Sequence, residues 1–327
     1  MSSASTSSLL SDATLLRFDR AADFSEGWAA VRVGDRSFFI DATGATTLDV
    51  DPGLDGVSAF AEDLALCQVN GVYGFLDRSG EIVIPPQYSS ATPFSEGLAA
   101  IRPGNRYGFI ATDGALVIEP QFVSARAFHD GMAAVKLPDG QFGYIERSGQ
   151  WKIEPRFDDA SSFSEQRAAV RLNGQWGYID STGEIIIPAT LDGAFAFAEG
   201  RARFREGNQW GFLSPNGEMA IAPTYSFASD FSEGLAAVLI DNKWGYIDRE
   251  GNVVIPAQFD YAANFSQGLA AVKLGSAYGY IDSTGAWAID PQFPNAGSFS
   301  DGWAWAQIDR EFVYVNAQGE FLRQPAI

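Results

Sequence analysis

Cysteine is nearly absent from this chain: Cys67 is the single one in 327 residues. No intramolecular disulfide can form, so the fold does not depend on an oxidising compartment. Histidine is as scarce. His129 stands alone, which leaves a zinc site or a Ser-His-Asp triad without the partners it needs. Basic residues are outnumbered, 22 against 41 acidic, for a formal net charge of −19. Nucleic acid and anionic membranes call for a basic stripe, and none is present, so neither is expected as a partner. Long apolar runs are missing too. Nothing approaches the roughly 20 residues that span a bilayer, and residues 1–13, MSSASTSSLLSDA, lack the basic start and apolar core of a signal peptide. These absences predict a cytoplasmic protein with no membrane insertion and a disordered polar tail over 1–13. Walker A, GxGxxG, HExxH and CxxC patterns are likewise missing, so no cofactor or metal is expected.

What is present is repetition. FSEGLAA at 94–100 returns as FHDGMAA at 128–134, FSEQRAA at 163–169, FSEGLAA at 231–237 and FSQGLAA at 265–271. The leading Phe falls at 24, 60, 94, 128, 163, 197, 231, 265 and 299, nine copies about 34 residues apart. Residues 14–327 therefore read as one repeat domain. Within 163–197, the run Arg167 to Leu172 is apolar and suited to a strand, and Asn173-Gly174 is a strong two-residue hairpin signal. Trp176 to Asp180 is an aromatic-rich strand, and Asp180 to Gly183 is a turn. Glu184 to Pro188 is a third strand ending in proline. One unit is thus a three-stranded antiparallel meander, followed by a linker of roughly nine residues.

Pro85, Pro120, Pro155, Pro188, Pro223, Pro256 and Pro291 all fall in the third strand. Proline has no N–H to donate, which places that strand at an edge. The chain starts late in a third strand, since Phe18 precedes Phe24 as Phe122 precedes Phe128, and it ends midway through one at Pro325. Strand complementation between the ends would close a propeller-like ring. The end copies are degenerate, however: Ser37-Phe38 and Phe312-Val313 stand where the others have an aromatic-Gly pair. Degenerate end units are typical of caps on an open stack. The expected fold is all-β, nine three-stranded meanders stacked as an open superhelical array, with the closed ring as the alternative.

The repeated pair is Tyr73-Gly74, Tyr107-Gly108, Phe142-Gly143, Trp176-Gly177, Trp210-Gly211, Trp244-Gly245 and Tyr278-Gly279. Together with NGQWGYID, DNKWGYID and VIPPQ segments, it resembles the WG (KWG) repeat family of bacterial proteins over residues 14–325. The resemblance implies a β-rich repeat and, for function, protein interaction rather than a reaction. Tyr or Phe replaces Trp in four of the seven pairs, so the indole itself is not a required group.

Rings recurring in every copy belong first to the repeat's own packing, with glycine admitting close approach; a platform for sugars or proline-rich peptides is the sharper reading. Glu26, Glu96, Glu165, Glu199 and Glu233, with Asp130 and Asp301, would form an acidic row on stacked repeats. Turn chemistry accounts for them, because a hard cation needs six to eight converging oxygens. Asp41, Asp77, Asp180, Asp248 and Asp282 read as turn caps, and Cys67 reads as a buried thiol in the run Leu64 to Val69.

No catalytic constellation stands out, so no enzyme is expected. The expected function is a protein–protein interaction scaffold whose variable positions, such as Arg126, Arg203, Phe204 and Tyr261, select the partner. A carbohydrate-binding, lectin-like protein is the alternative, and a hydrolase on a β-repeat frame a weak third.

Overall fold

A computed structural model describes residues 15–324; the polar tail expected over 1–13 and Pro325 lie outside them. Every named element is a strand. Among the described residues no helix is long and apolar enough to cross a membrane.

The unit has four strands, not three. In one sheet these are Asp159–Ala160, Arg167–Leu172, Gln175–Asp180 and Ile185–Leu191, each hydrogen-bonded to the next. The added member is a short strand cut from the linker: Asp159 and Ala160 pair with Arg171 and Val170. The Asn173-Gly174 hairpin forms with φ of 51° and 85°, the left-handed pair that a two-residue turn requires. The last strand does not stop at proline. It passes through Pro188 and bulges, so that Trp176 and Tyr178 face Leu191 and Ile187. Proline sits where the ladder is interrupted and no N–H is called for.

That bulge explains the glycine of the aromatic-Gly pair. A Cβ on Gly177 would lie 2.5 Å from the Ile187 carbonyl oxygen, and at the six equivalent glycines the distance is between 2.4 and 2.7 Å. The space is needed by the backbone of the proline-bearing strand in the same sheet, not by a neighbouring ring. All seven sheets with the glycine carry the register shift. The first sheet has Phe38 at the glycine position, and there Thr47–Asp49 pairs in regular register without a bulge.

The sheets form a closed β-propeller, which overturns the open array. Eight blades are four-stranded; the hairpin of Trp303–Ile308 and Glu311–Asn316 begins a closing blade. Both chain ends complete it. Phe18 pairs with Phe312, as Phe157 pairs with Phe142, while Val315 bridges Phe321 and Leu15 bridges Arg323. The outer edge of that blade is therefore assembled from two distant pieces of chain. On the other side, Ala296 pairs with Ala306. The worn end copies are the seam of the ring, not caps. In the closing blade, where two pieces of chain meet edge to edge, Val313 stands at the glycine position.

Where a blade is covered on both faces its second strand is buried continuously, as in Leu98–Arg102 and Met132–Lys136, whereas Arg201–Glu206 alternates. Ala133 and Val135 pack toward Leu98 and Phe109 of the preceding blade, while Met132 and Ala134 face Phe163 and Val170 of the next. The motif Phe plugs each interface: Phe24, Phe128 and Phe265 are at most 1% exposed, each burial stabilising by roughly 2–3 kcal/mol. Hydrogen bonds repeat the same step. Ser95, Ser164, Ser232 and Ser266 Oγ donate to the carbonyl of the next motif Phe at 2.7 Å. Ser300 makes that bond to Phe24 at 2.6 Å, across the seam. Tyr178 and Tyr246 hydroxyls donate to the next linker at Phe195 and Ala263, and Tyr314 donates to Ala22 across the seam. Interfaces within the chain and at its seam are thus built alike.

Candidate functional site

The acidic row is a belt of caps. Glu96 occupies the first central position of a two-residue turn with φ of 55°, followed by Gly97 at 79°. Such a conformation is costly for a side-chain-bearing residue, and each acid offsets the cost by reaching the next blade. Glu62 accepts from Gly97 N–H, Glu96 from Gly131, Asp130 from Gln166, Glu165 from Gly200 and Glu233 from Gly268. Glu26 and Glu199 each accept from two N–H groups. Gln267 does the same for Gly302, and Asp301 for Gly27. Glu62 and Gln267 were not in the row read from sequence; only the geometry shows that an amide serves as well as a carboxylate. Burial pushes the Glu199 carboxyl up, but hydrogen bonds from Arg249 and from the Gly234 and Glu233 backbone outweigh it and hold the group below its usual range.

The second set of acids caps turns within its own blade. Asp180 Oδ1 accepts from Thr182 Oγ1 at 2.6 Å and from the Thr182 and Glu184 N–H groups. Asp41, Asp77, Asp248 and Asp282 accept equivalent bonds. Cys67 is buried, and burial pushes its thiol up, away from the reactive thiolate. His129 is exposed and holds the place of the bridging serine. Among the described residues no group of three His, Cys, Asp or Glu side chains is gathered tightly enough to hold a metal ion.

The aromatic-Gly rings are half-buried, apart from buried Phe142. The fully buried ring lies two residues further on, at Phe75, Phe109, Tyr144, Tyr178, Phe212, Tyr246 and Tyr280. The pair's aromatic instead forms a row at the short-strand side of each blade, and in one arc that row becomes continuous. Phe195 packs on Trp210 (5.0 Å between centroids), Trp210 on Phe227 (4.9 Å), and Phe227 on Trp244 (5.7 Å). Trp244 packs on Tyr261 (6.3 Å) and Tyr261 on Tyr278 (5.9 Å). Phe227 and Tyr261 are 39% and 44% exposed. Arg203 lies over Phe195 at 4.4 Å and over Trp210 at 5.5 Å, oriented by Asp230 at 2.5 Å; Lys273 lies over Tyr278 at 5.5 Å.

This row departs from the repeat. Where two successive blades carry Phe227 and Tyr261, the equivalent short-strand positions are Arg20, Gly56, Ser90, Ser124, Asp159 and Gly193. Arg203 replaces an alanine found at Ala100, Ala134, Ala169, Ala237 and Ala271. Sequence analysis singled out Arg203 and Tyr261 but missed Phe195 and Phe227. Aligning the linkers would have flagged both as aromatic outliers. Arg126, exposed, donates to the Ala160 carbonyl at 2.8 Å and does not join the row; Phe204 is buried core.

Among solved structures, the chain is similar to a eukaryotic initiation factor at 14% identity, with a TM-score of 0.63 over 84% of this chain and 86% of that one. Weaker likeness extends to BamB from Moraxella catarrhalis (13% identity, TM-score 0.40, 73% and 84% covered) and to PorZ of Porphyromonas gingivalis (9%, 0.36, 96% and 53%). At these identities the first shows the propeller fold alone, and the other two carry no argument. A search of curated protein sequences finds no match. The family model described as "WG containing repeat" matches residues 16–36, 73–107, 107–140, 142–176, 176–210, 210–244, 244–276 and 278–310. With most of its length matched and the aromatic-Gly pair explained by one bulged blade, this chain belongs to the WG-repeat family.

Proposed function

We propose that the chain is a non-enzymatic protein-interaction scaffold whose contact surface is the aromatic row from Phe195 to Tyr278. The observation that carries this reading is the pair of exposed rings, Phe227 and Tyr261, set between half-buried Trp210, Trp244 and Tyr278 in an arc where the repeat otherwise uses small or polar residues. Exposed rings gain little for the fold. Rigid Trp and Tyr side chains with a stacked arginine are the groups that dominate protein interfaces. The acids of the two repeated rows support a role without chemistry, because each is engaged in holding a turn.

Replacing Phe227 and Tyr261 by serine, the residue that other blades carry there, tests the reading. A partner retained from lysate by the native protein and lost by the Phe227→Ser, Tyr261→Ser variant supports it. Identical capture by both proteins sinks it. A glycan is the second reading, favoured by indole and phenol rings in one file. Titrating tryptophan fluorescence with oligosaccharides separates the two, since Trp210 and Trp244 would report a sugar seated on the row.

A further inference from the structure

On the first blade the same row holds a cavity instead of a ring. Ser37 stands in register with Arg32, as Trp176 does with Arg171 and Trp210 with Arg205. A cavity of about 270 Å³ lies there between the first and second blades, with Ala30, Val31, Ser37 and Gly56 in its lining. Arg20 and Arg32 are both among its lining residues. Arg20, on the short strand, is the direct cross-strand partner of Arg32.

Like charges directly opposed on neighbouring strands are destabilising. The other blades avoid the arrangement: Ser90 opposes Arg102, Ser124 opposes Lys136, Asp159 opposes Arg171, Gly193 opposes Arg205 and Tyr261 opposes Lys273. Arg32 Nε donates to the Gly34 carbonyl at 2.9 Å, and its nearest carboxylate is the fully exposed Asp35 at 3.7 Å, so no close carboxylate neutralises it. The Arg20 side chain is exposed and makes no hydrogen bond or ion pair with any described residue. In a chain with a net charge of −19, a cavity lined by two arginines and one aspartate is a local reversal of sign. Guanidinium forks match planar or tetrahedral oxyanions through paired N–H donors.

We propose that this cavity is a binding site for a small molecule bearing an oxyanion, a carboxylate or a phosphoryl group, held between Arg20 and Arg32. Ser37 supplies a hydroxyl donor on the same blade, and Ala30, Val31 and Val57 take the ligand's apolar body. Asp55, also in the lining, repels any excess negative charge and limits the site to one anionic group. The site stands apart from the aromatic row, on different blades, so neither depends on the other.

Calorimetric titration of the full chain with inorganic phosphate and, separately, with butyrate, at constant ionic strength, tests the assignment. Saturable binding of at least one anion is expected, weakened about tenfold by Arg20→Gln and unaffected by Arg171→Gln on another blade. Asp55→Asn is expected to tighten it. Tighter binding of phosphate identifies a phosphoryl ligand, and tighter binding of butyrate a carboxylate. No saturable binding of either anion overturns the proposal, as does equal affinity in Arg20→Gln with an unchanged melting temperature, or weaker binding in Asp55→Asn.

Discussion

The backbone N–H of Gly27 donates to Asp301 Oδ2 at 2.8 Å, across 274 residues of chain. It is the same clasp that Glu165 makes to Gly200 and Glu233 to Gly268, and it joins the last blade to the first. A repeat protein whose terminal link matches its internal links has no ends.

Asp301→Ala should therefore cost about 1 kcal/mol, as Glu233→Ala does, each removing one capping bond. Equilibrium denaturant unfolding of the two variants checks this. In an open stack the terminal variant would be close to neutral.

Phe18→Ala should cost about 3–5 kcal/mol. The ring is 3% exposed and packs at the seam against Tyr314 and Phe38. A cost below about 1 kcal/mol, measured by the same unfolding, would mean that the N-terminal segment does not close the ring in solution.

Gly211→Ala should cost about 3 kcal/mol, because its Cβ would sit 2.5 Å from the Ile221 carbonyl oxygen and 2.8 Å from the Pro223 nitrogen, backbone atoms that cannot turn aside. Gly104→Ala, with nothing within 4 Å, should be nearly neutral. Thermal melts of the two variants give the contrast.

Tyr246→Phe should cost about 1–2 kcal/mol by deleting the 2.6 Å bond from its hydroxyl to the Ala263 carbonyl while leaving the ring in place. The buried tyrosines also set an alkaline limit. Burial pushes the Tyr144, Tyr178, Tyr246, Tyr280 and Tyr314 hydroxyls well above the ordinary phenol range. Their contribution is complete below about pH 10, the unfolded phenol value, and is lost as pH rises beyond it.

Acid should weaken the protein in the opposite sense. Hydrogen bonds from Ser79, Thr182, Asn252 and Thr284 hold Asp77, Asp180, Asp248 and Asp282 below the usual carboxylate range. Their stabilisation is present above about pH 4 and is lost as pH falls through the depressed values. Burial raises Asp23, which favours the fold at low pH, but it is one group against these four and against Asp41, Glu199 and Asp260, which are likewise held low. Melting temperature followed from pH 6 to pH 3 should fall; a flat profile would show that the turn caps do not stabilise the fold.

Strands, turns and repeat length were legible because each is local. Asn173-Gly174, the spaced prolines and the aromatic-Gly pairs report φ preferences and edge positions within a few residues of themselves. The two-residue short strand was not legible: Asp159-Ala160 has no pattern of its own and becomes a strand only by pairing with Arg171 and Val170. The reason for the glycine was hidden likewise, since the atoms that exclude a Cβ from Gly177 belong to residues ten positions further on.

By itself the sequence determined an all-β chain of nine 34-residue copies whose ends fall in complementary phases of one strand. Tertiary structure decided that the copies close. Closure depends on how the small rotations between successive blades accumulate over the whole chain, and no local pattern encodes that sum. The same non-local geometry sets Phe227 between Trp210 and Trp244, and Arg20 beside Arg32 at a cavity between two blades. Residues far apart in a linear reading become neighbours only when the blades stand side by side.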